Sequence, residues 1–161
     1  MNSWPDGSRL ERTTFSGLRR GQLMARVRSR GNGTTERRLV ALLRGARLTG
    51  WRRHVRLPGR PDFCWREARV VVFVDGCFWH GHLCRNVTPK TNAVAWRKKI
   101  HGNRVRDRRV DRRLRGDGWS VLRIWECQLA RSPERSIAKI GLRLEQRRST
   151  ATASLGEGVE A

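Results

Sequence analysis

Val70-Val71-Val72-Phe73-Val74 runs without a break into Asp75-Gly76-Cys77-Phe78-Trp79-His80-Gly81-His82-Leu83-Cys84, and this junction constrains the fold more than any other stretch. An unbroken run of β-branched and aromatic residues is too apolar for a sheet edge and reads as a central strand buried on both faces. The segment after it carries two cysteines and two histidines at very short range, which is how chains ligate zinc. The central strand must therefore deliver its end to a metal-capable loop. Phe78 and Trp79 lie inside that loop, where rings can meet bases instead of a core. A histidine left over from the metal set is free to move protons.

The partner follows from charge. Thirty-six Lys and Arg against 14 Asp and Glu give a formal net charge of +22 in 161 residues. A charge of that size implies a polyanion, most simply nucleic acid. Nearly all of it is Arg, with Lys only at 90, 98, 99 and 139. A GC-rich coding sequence would enrich Arg as well, so the sign and size of the charge carry the inference. No stretch approaches the roughly 20 apolar residues of a membrane span, and the first twenty residues lack the apolar core of a secretory signal. Cysteines at 64, 77, 84 and 127 in a non-secreted chain favour metal or free thiols over disulfides. A cytoplasmic setting is expected, at the nucleoid if the cell is bacterial.

The length suits one domain with its own core. Residues 1–30 are basic and weakly periodic and read as an arm that orders on its partner. A folded domain is expected over 31–148, and 149–161 read as a disordered tail. Thr34 or Thr35 can cap a helix with Glu36 in its first turn and Leu39, Val40, Leu42 and Leu43 facing inward. A short strand is expected over 51–55, then a rigid turn at Pro58-Gly59-Arg60-Pro61. Strands follow at 62–65, 69–74 and 119–125, the last two joined by helical pieces around 94–100 and 105–114. A strand, a helical crossover and a strand make a right-handed parallel unit. A closing helix is expected over 136–147. The fold class is α/β, a mixed central sheet flanked by helices.

Cys77, His82 and Cys84 make a zinc site short of one ligand. Cys127 follows the strand ending at Trp125 and completes a Cys₃His set if the two strands pair and end at one edge. The bland alternative is three buried thiols and a surface histidine. Cys64, mid-strand, reads as core. Asp62 opens its strand, Asp75 ends the next, and His80 follows. If those strands form a hairpin, two carboxylates and an imidazole converge, as Mg²⁺-assisted phosphodiester hydrolysis requires. Histidine has the right pKa for the base. An isolated turn aspartate, however, is more often a cap. Adjacent Phe78 and Trp79 point to opposite faces in extended backbone, and Trp96 lies on a basic helix. Together they suggest insertion between base pairs. The run from Arg104 to Arg113, including Arg108 and Arg112, suits phosphate contact or a solvated face.

Leu57-Pro58-Gly59-Arg60-Pro61-Asp62-Phe63, Val74-Asp75-Gly76-Cys77-Phe78-Trp79-His80 and Trp125-Glu126-Cys127 together resemble the very-short-patch-repair (Vsr) DNA mismatch endonucleases. Asn103 to Arg109 followed by Gly118-Trp119 resembles a further block of that family. The resemblance implies a restriction-endonuclease-like fold with a structural Zn²⁺. It also implies a Mg²⁺-dependent nick 5′ of the thymine in T·G mismatches that arise by deamination of 5-methylcytosine. By position, Asp62 matches the metal-binding aspartate, with the Val74 carbonyl as a second metal contact. His80 matches the general base and Glu36 an acid that supports the site. Cys77, His82, Cys84 and Cys127 match the zinc ligands, and Phe78, Trp79 and Trp96 the intercalating rings. Asn103 joins Arg108 and Arg112 as an expected DNA contact. A monomer acting on mismatched duplex DNA is expected, alongside mismatch-repair factors and a repair polymerase.

The best-known members carry His where this chain has Asp75, and a longer His run where it has Gly81 and Leu83. A carboxylate there could bind metal but could not donate a proton as an imidazolium can. Two other readings stay open: a non-catalytic zinc-dependent DNA-binding module, and a related nuclease with another DNA target.

Overall fold

The computed structural model of the chain describes residues 35–84 and 92–156. The arm expected over 1–30 lies outside them. Elements follow in the order α1 (Glu36–Gly45), β1 (Arg52–Arg53), β2 (Phe63–Trp65), β3 (Val70–Asp75), α2 (Ala93–Gly116), β4 (Ser120–Trp125), α3 (Glu126–Arg131) and α4 (Pro133–Gly156). The four strands form one mixed sheet in the order β1-β2-β3-β4. β2 and β3 are an antiparallel pair with Cys64 opposite Val71. β3 and β4 are parallel with Val70 opposite Ser120 and Asp75 opposite Trp125, so both end at one edge.

The apolar run of β3 is buried on both faces, as its composition demands. Val70 and Val72 pack with Leu39, Leu43, Phe63, Ile124, Leu129, Ile140 and Leu144 on the face covered by α1, α3 and α4. Val71 and Phe73 pack with Cys64, Val121 and Leu114 on the face covered by α2. Each large side chain so buried contributes about 1.5–3 kcal/mol. Two indole N–H groups tie the α1–β1 connection down: Trp51 donates to the Leu48 carbonyl at 3.0 Å and Trp65 to that of Thr49 at 2.7 Å.

Several boundaries differ from expectation. The two helical pieces are one continuous helix, because Gly102 merely leaves open space within it. The strand expected over 51–55 is two residues long, since His54 turns the backbone to φ +50°. Thr35 precedes α1, but its side chain makes no capping hydrogen bond. α3 was not foreseen: a six-residue helix is too short to show apolar periodicity. The closing helix runs on to Gly156, into the stretch from Ser149 that composition marks as a polar tail.

Candidate active site, metal centre and nucleic-acid face

The parallel β3–β4 pair determines where the chemistry gathers. Cys77 and Cys127 each lie two residues past the paired ends Asp75 and Trp125, so the two thiols arrive together. The Cys127 backbone N–H donates to Cys77 Sγ at 3.4 Å, and Cys127 Sγ lies 3.4 Å from His82 Nδ1. With Cys84, the donor atoms of all four lie within 4.8 Å of one another. A tetrahedral zinc with bonds of about 2.0–2.3 Å needs donors about 3.3–3.8 Å apart, which suits this group. Burial pushes the Cys77 thiol up to about 12; the Cys127 backbone N–H works against that rise, and side-chain hydrogen bonds with Cys84 and Cys127 add to it. A cation among the sulfurs would reverse that. Trp125 stacks flat on His82, centroids 4.3 Å apart.

The loop that brings these ligands round is a compact turn. His80 N–H donates to Gly76 O at 3.3 Å and His82 N–H to Cys77 O at 2.9 Å. Gly81 has φ +67°, and a Cβ there would lie 2.7 Å from Ile100 Cγ2 on α2. A side chain at 81 is therefore excluded twice, by conformation and by space.

The turn corrects the expectation for Phe78 and Trp79. Their backbone is not extended, and the rings do not part to opposite faces. They meet edge-on at 5.2 Å, and Trp96 of α2 joins both, at 5.1 Å from Phe78 and 5.7 Å from Trp79. All three are partly exposed. Lys99 sits 5.4 Å from the Trp79 ring centroid. Asn103 holds the segment from α2, its amide donating to Trp79 O at 2.8 Å. Arg108 and Arg112 are exposed on α2.

The carboxylates and His80 sort into two groups instead of one. In the first, Asp62 Oδ2 accepts the Val74 N–H at 2.7 Å, pinning the start of β2 to the end of β3. Glu36 and His54 join it, their ligand atoms all within 4.8 Å of each other and of Asp62. Glu36 is buried beneath Arg53, which bonds it, and His54 Nε2 lies 3.3 Å from it. Burial pushes the Asp62 carboxyl up to about 6; the Val74 hydrogen bond opposes that, and the charges of Glu36 and Asp75 add to it. Pro58-Gly59-Arg60-Pro61 delivers Asp62 because it is a tight turn against α2. Gly59, at φ +72°, has Val110 Cγ1 2.5 Å from where a Cβ would stand.

In the second group, His80 Nδ1 lies 2.6 Å from Asp107 Oδ2 and 3.7 Å from Asp75 Oδ1. Arg123 binds both Asp75 oxygens from Nη1, at 2.9 and 2.8 Å. The same guanidinium reaches Asp111 at 3.0 Å and Asp107 at 3.6 Å. Burial works against its charge, but Asp75, Asp111 and Asp107 together hold the proton on more firmly than usual. Burial works to raise Asp107 too; the hydrogen bond and charge of His80, then Arg123 and Arg106, nevertheless keep it below the ordinary carboxylate range. Asp75, 4 % exposed, is thus taken up by a cation from the neighbouring strand.

Sequence reasoning missed His54, Asp107, Asp111 and Arg123. Three carried a readable signal. Asp107 and Asp111 are the only acids in a long arginine run and stand one helical turn apart. Arg123 is the one charged residue of an otherwise apolar strand.

A family model described as DNA mismatch endonuclease Vsr matches residues 13–86. The type II nicking enzyme V.XorIIP of Xanthomonas oryzae pv. oryzae is 43% identical over 115 residues, covering 70% of this chain and 82% of that protein. The DNA mismatch endonuclease Vsr of Escherichia coli K12 is 47% identical over 95 residues, 58% of this chain and 61% of that one. The type II nicking enzyme V.HpaIIP of Haemophilus parainfluenzae is 32% identical over 110 residues, 66% of this chain and 78% of that protein.

Proposed function

The chain belongs to the family of DNA mismatch endonucleases Vsr, and on that premise we propose that it nicks one strand of duplex DNA 5′ of the thymine in a T·G mismatch. Such mismatches arise by deamination of 5-methylcytosine. One observation carries the catalytic reading: Asp62 is fixed at the β2–β3 junction within ligand range of Glu36, in a pocket whose burial penalises its charge. Hard oxygen donors of this kind suit Mg²⁺. Asp62 and the Val74 carbonyl would hold the ion, with Glu36 supporting them. When bound, Mg²⁺ polarises the phosphate and stabilises charge on the departing oxygen.

His80 serves as the base. Its Nδ1 faces Asp107, an acceptor, so Nδ1 carries the proton and Nε2 is left as the acceptor. Water loses a proton to Nε2, its oxygen forms the new bond to phosphorus, and the P–O bond breaks with its electron pair leaving on the sugar oxygen, which takes a proton from solvent water. Cys77, His82, Cys84 and Cys127 would bind a structural Zn²⁺, leaving no position for water. The ring cluster of Phe78, Trp79 and Trp96 would enter the step beside the mismatch, where a wobble pair stacks poorly. Asn103 would brace that cluster, and Arg108 and Arg112 would hold the backbone. A restriction-endonuclease-like fold, a monomer, and hand-over to mismatch-repair factors and a repair polymerase complete the reading. Among the described residues no helix is long and apolar enough to cross a membrane.

The test is nicking of an end-labelled T·G duplex beside a T·A control, with Mg²⁺ and with EDTA. Mg²⁺-dependent cleavage confined to the mismatch supports the assignment, and equal cleavage of both duplexes refutes it.

A further inference from the structure

The pocket lined by Arg115, Arg143 and Arg147 at the far end of β4 is basic, but Arg143 and Arg147 are spent on Ser120 and on the carbonyls of Ala68 and Gly118. It carries no ligand argument. The Arg123 network carries one. Its three carboxylates come from two elements, Asp75 from β3 and Asp107 and Asp111 from α2, and they meet on a guanidinium rooted in β4. Arg123 also lies 4.6 Å over the Phe73 ring, which fixes the plane of its fork.

A planar fork with five donors can satisfy several carboxylates at once, which a lysine cannot. Buried carboxylates that shared no cation would repel, and the 104–113 stretch of α2 would move away from the end of β3. Asp107 would then leave His80. An imidazole whose Nδ1 has no fixed acceptor samples both tautomers and rotates, and only the Nδ1–H form leaves Nε2 able to take a proton.

We propose that Asp107 and Arg123 are positioning residues for His80. Asp107 selects the tautomer and ring orientation of the base, and Arg123 sets Asp107 in place using Asp75 and Asp111 as its other anchors. Asp75 is then a strut and not a metal ligand. The inference rests on the reading of His80 as base, and the experiment separates the two.

The measurement is single-turnover nicking of the T·G duplex with Mg²⁺ at varied enzyme concentration, with His80→Ala, Asp107→Ala, Asp107→Asn, Arg123→Met and Arg123→Lys. Asp107→Ala and Arg123→Met should lower the maximal rate about 10- to 100-fold, within the roughly 10²–10⁴-fold share of a positioned base, while the half-saturating concentration stays put. Asp107→Asn keeps an acceptor for Nδ1–H and should recover part of the rate. Arg123→Lys, a cation without the fork, should not. Nitrogen-15 NMR of His80 should report the Nδ1–H tautomer in the parent and a mixture in Asp107→Ala. That readout also stands if Arg123→Met fails to fold. A wild-type maximal rate in Asp107→Ala, or an unchanged His80 tautomer, overturns the proposal. If His80→Ala alone kept the wild-type rate, the base reading itself would fall.

Discussion

His82 lies flat against Trp125, ring centroids 4.3 Å apart and planes 11° from parallel. The ring that would ligate zinc is thus oriented by the last residue of β4, two positions before another ligand, Cys127. Trp125→Ala should leave the fold standing, since the side chain is only partly buried. It should weaken zinc affinity about 10- to 100-fold, the usual share of a partner that orients a metal-bound imidazole. Competition with a chromogenic chelator reads this directly, and an unchanged affinity would show the stacking to be incidental.

Zinc itself should be present at one ion per chain in protein purified without chelator. Cys127→Ser should lose the metal and melt roughly 10 °C or more lower, because structural zinc contributes to folding outright. Elemental analysis and a thermal melt decide it. A metal-free parent sinks the site.

Asp62→Ala should abolish nicking while DNA binding holds or improves, since a carboxylate facing phosphate is repulsive without its cation. His80→Ala should reduce the rate on the order of 10²–10⁴-fold. Normal rates in either variant, measured against a binding isotherm on the same duplex, would overturn the assignment.

Affinity and discrimination should separate. Trp79→Ala or Trp96→Ala should shrink the T·G over T·A preference more than it shrinks overall binding, since stacking is worth about 1–3 kcal/mol per base contact. Arg108→Ala or Arg112→Ala should weaken both duplexes alike and flatten the salt dependence. Salt titrations of both duplexes with each variant test the pair of claims. Trp variants with full mismatch preference would mark the rings as packing alone.

Gly81→Ala should destabilise the protein by about 1–3 kcal/mol, combining a left-handed backbone with a methyl driven into Ile100. Urea unfolding measures it. A parent-like midpoint would mean that the turn is not built as described.

The buried strand, its partners, and the meeting of Cys77 with Cys127 were legible because they depend on period and on strand pairing, which sequence records locally. The division of the acidic groups was not. Whether Asp75 meets Asp62, a metal or a guanidinium depends on Arg123, 48 residues away, and no local pattern announces a cation arriving from the next strand. His54 was hidden for a similar reason: its backbone leaves the strand that its neighbours suggest. The mutual contact of Phe78 and Trp79 was not legible either, because adjacent residues face apart in extended backbone and hydrogen bonds curl this segment into a turn.

That turn assigns different duties to successive residues. From Cys77 to Cys84 the chain offers a thiol, two aromatic rings, an imidazole, a glycine in the left-handed region, a second imidazole and, after Leu83, a second thiol, with one fixed backbone path linking them. Deleting or inserting a single residue there would shift every later duty onto the wrong side chain at once. Point substitutions can be graded one role at a time, whereas a change in length cannot. The segment should therefore vary in letters among workable variants of this protein, but not in number.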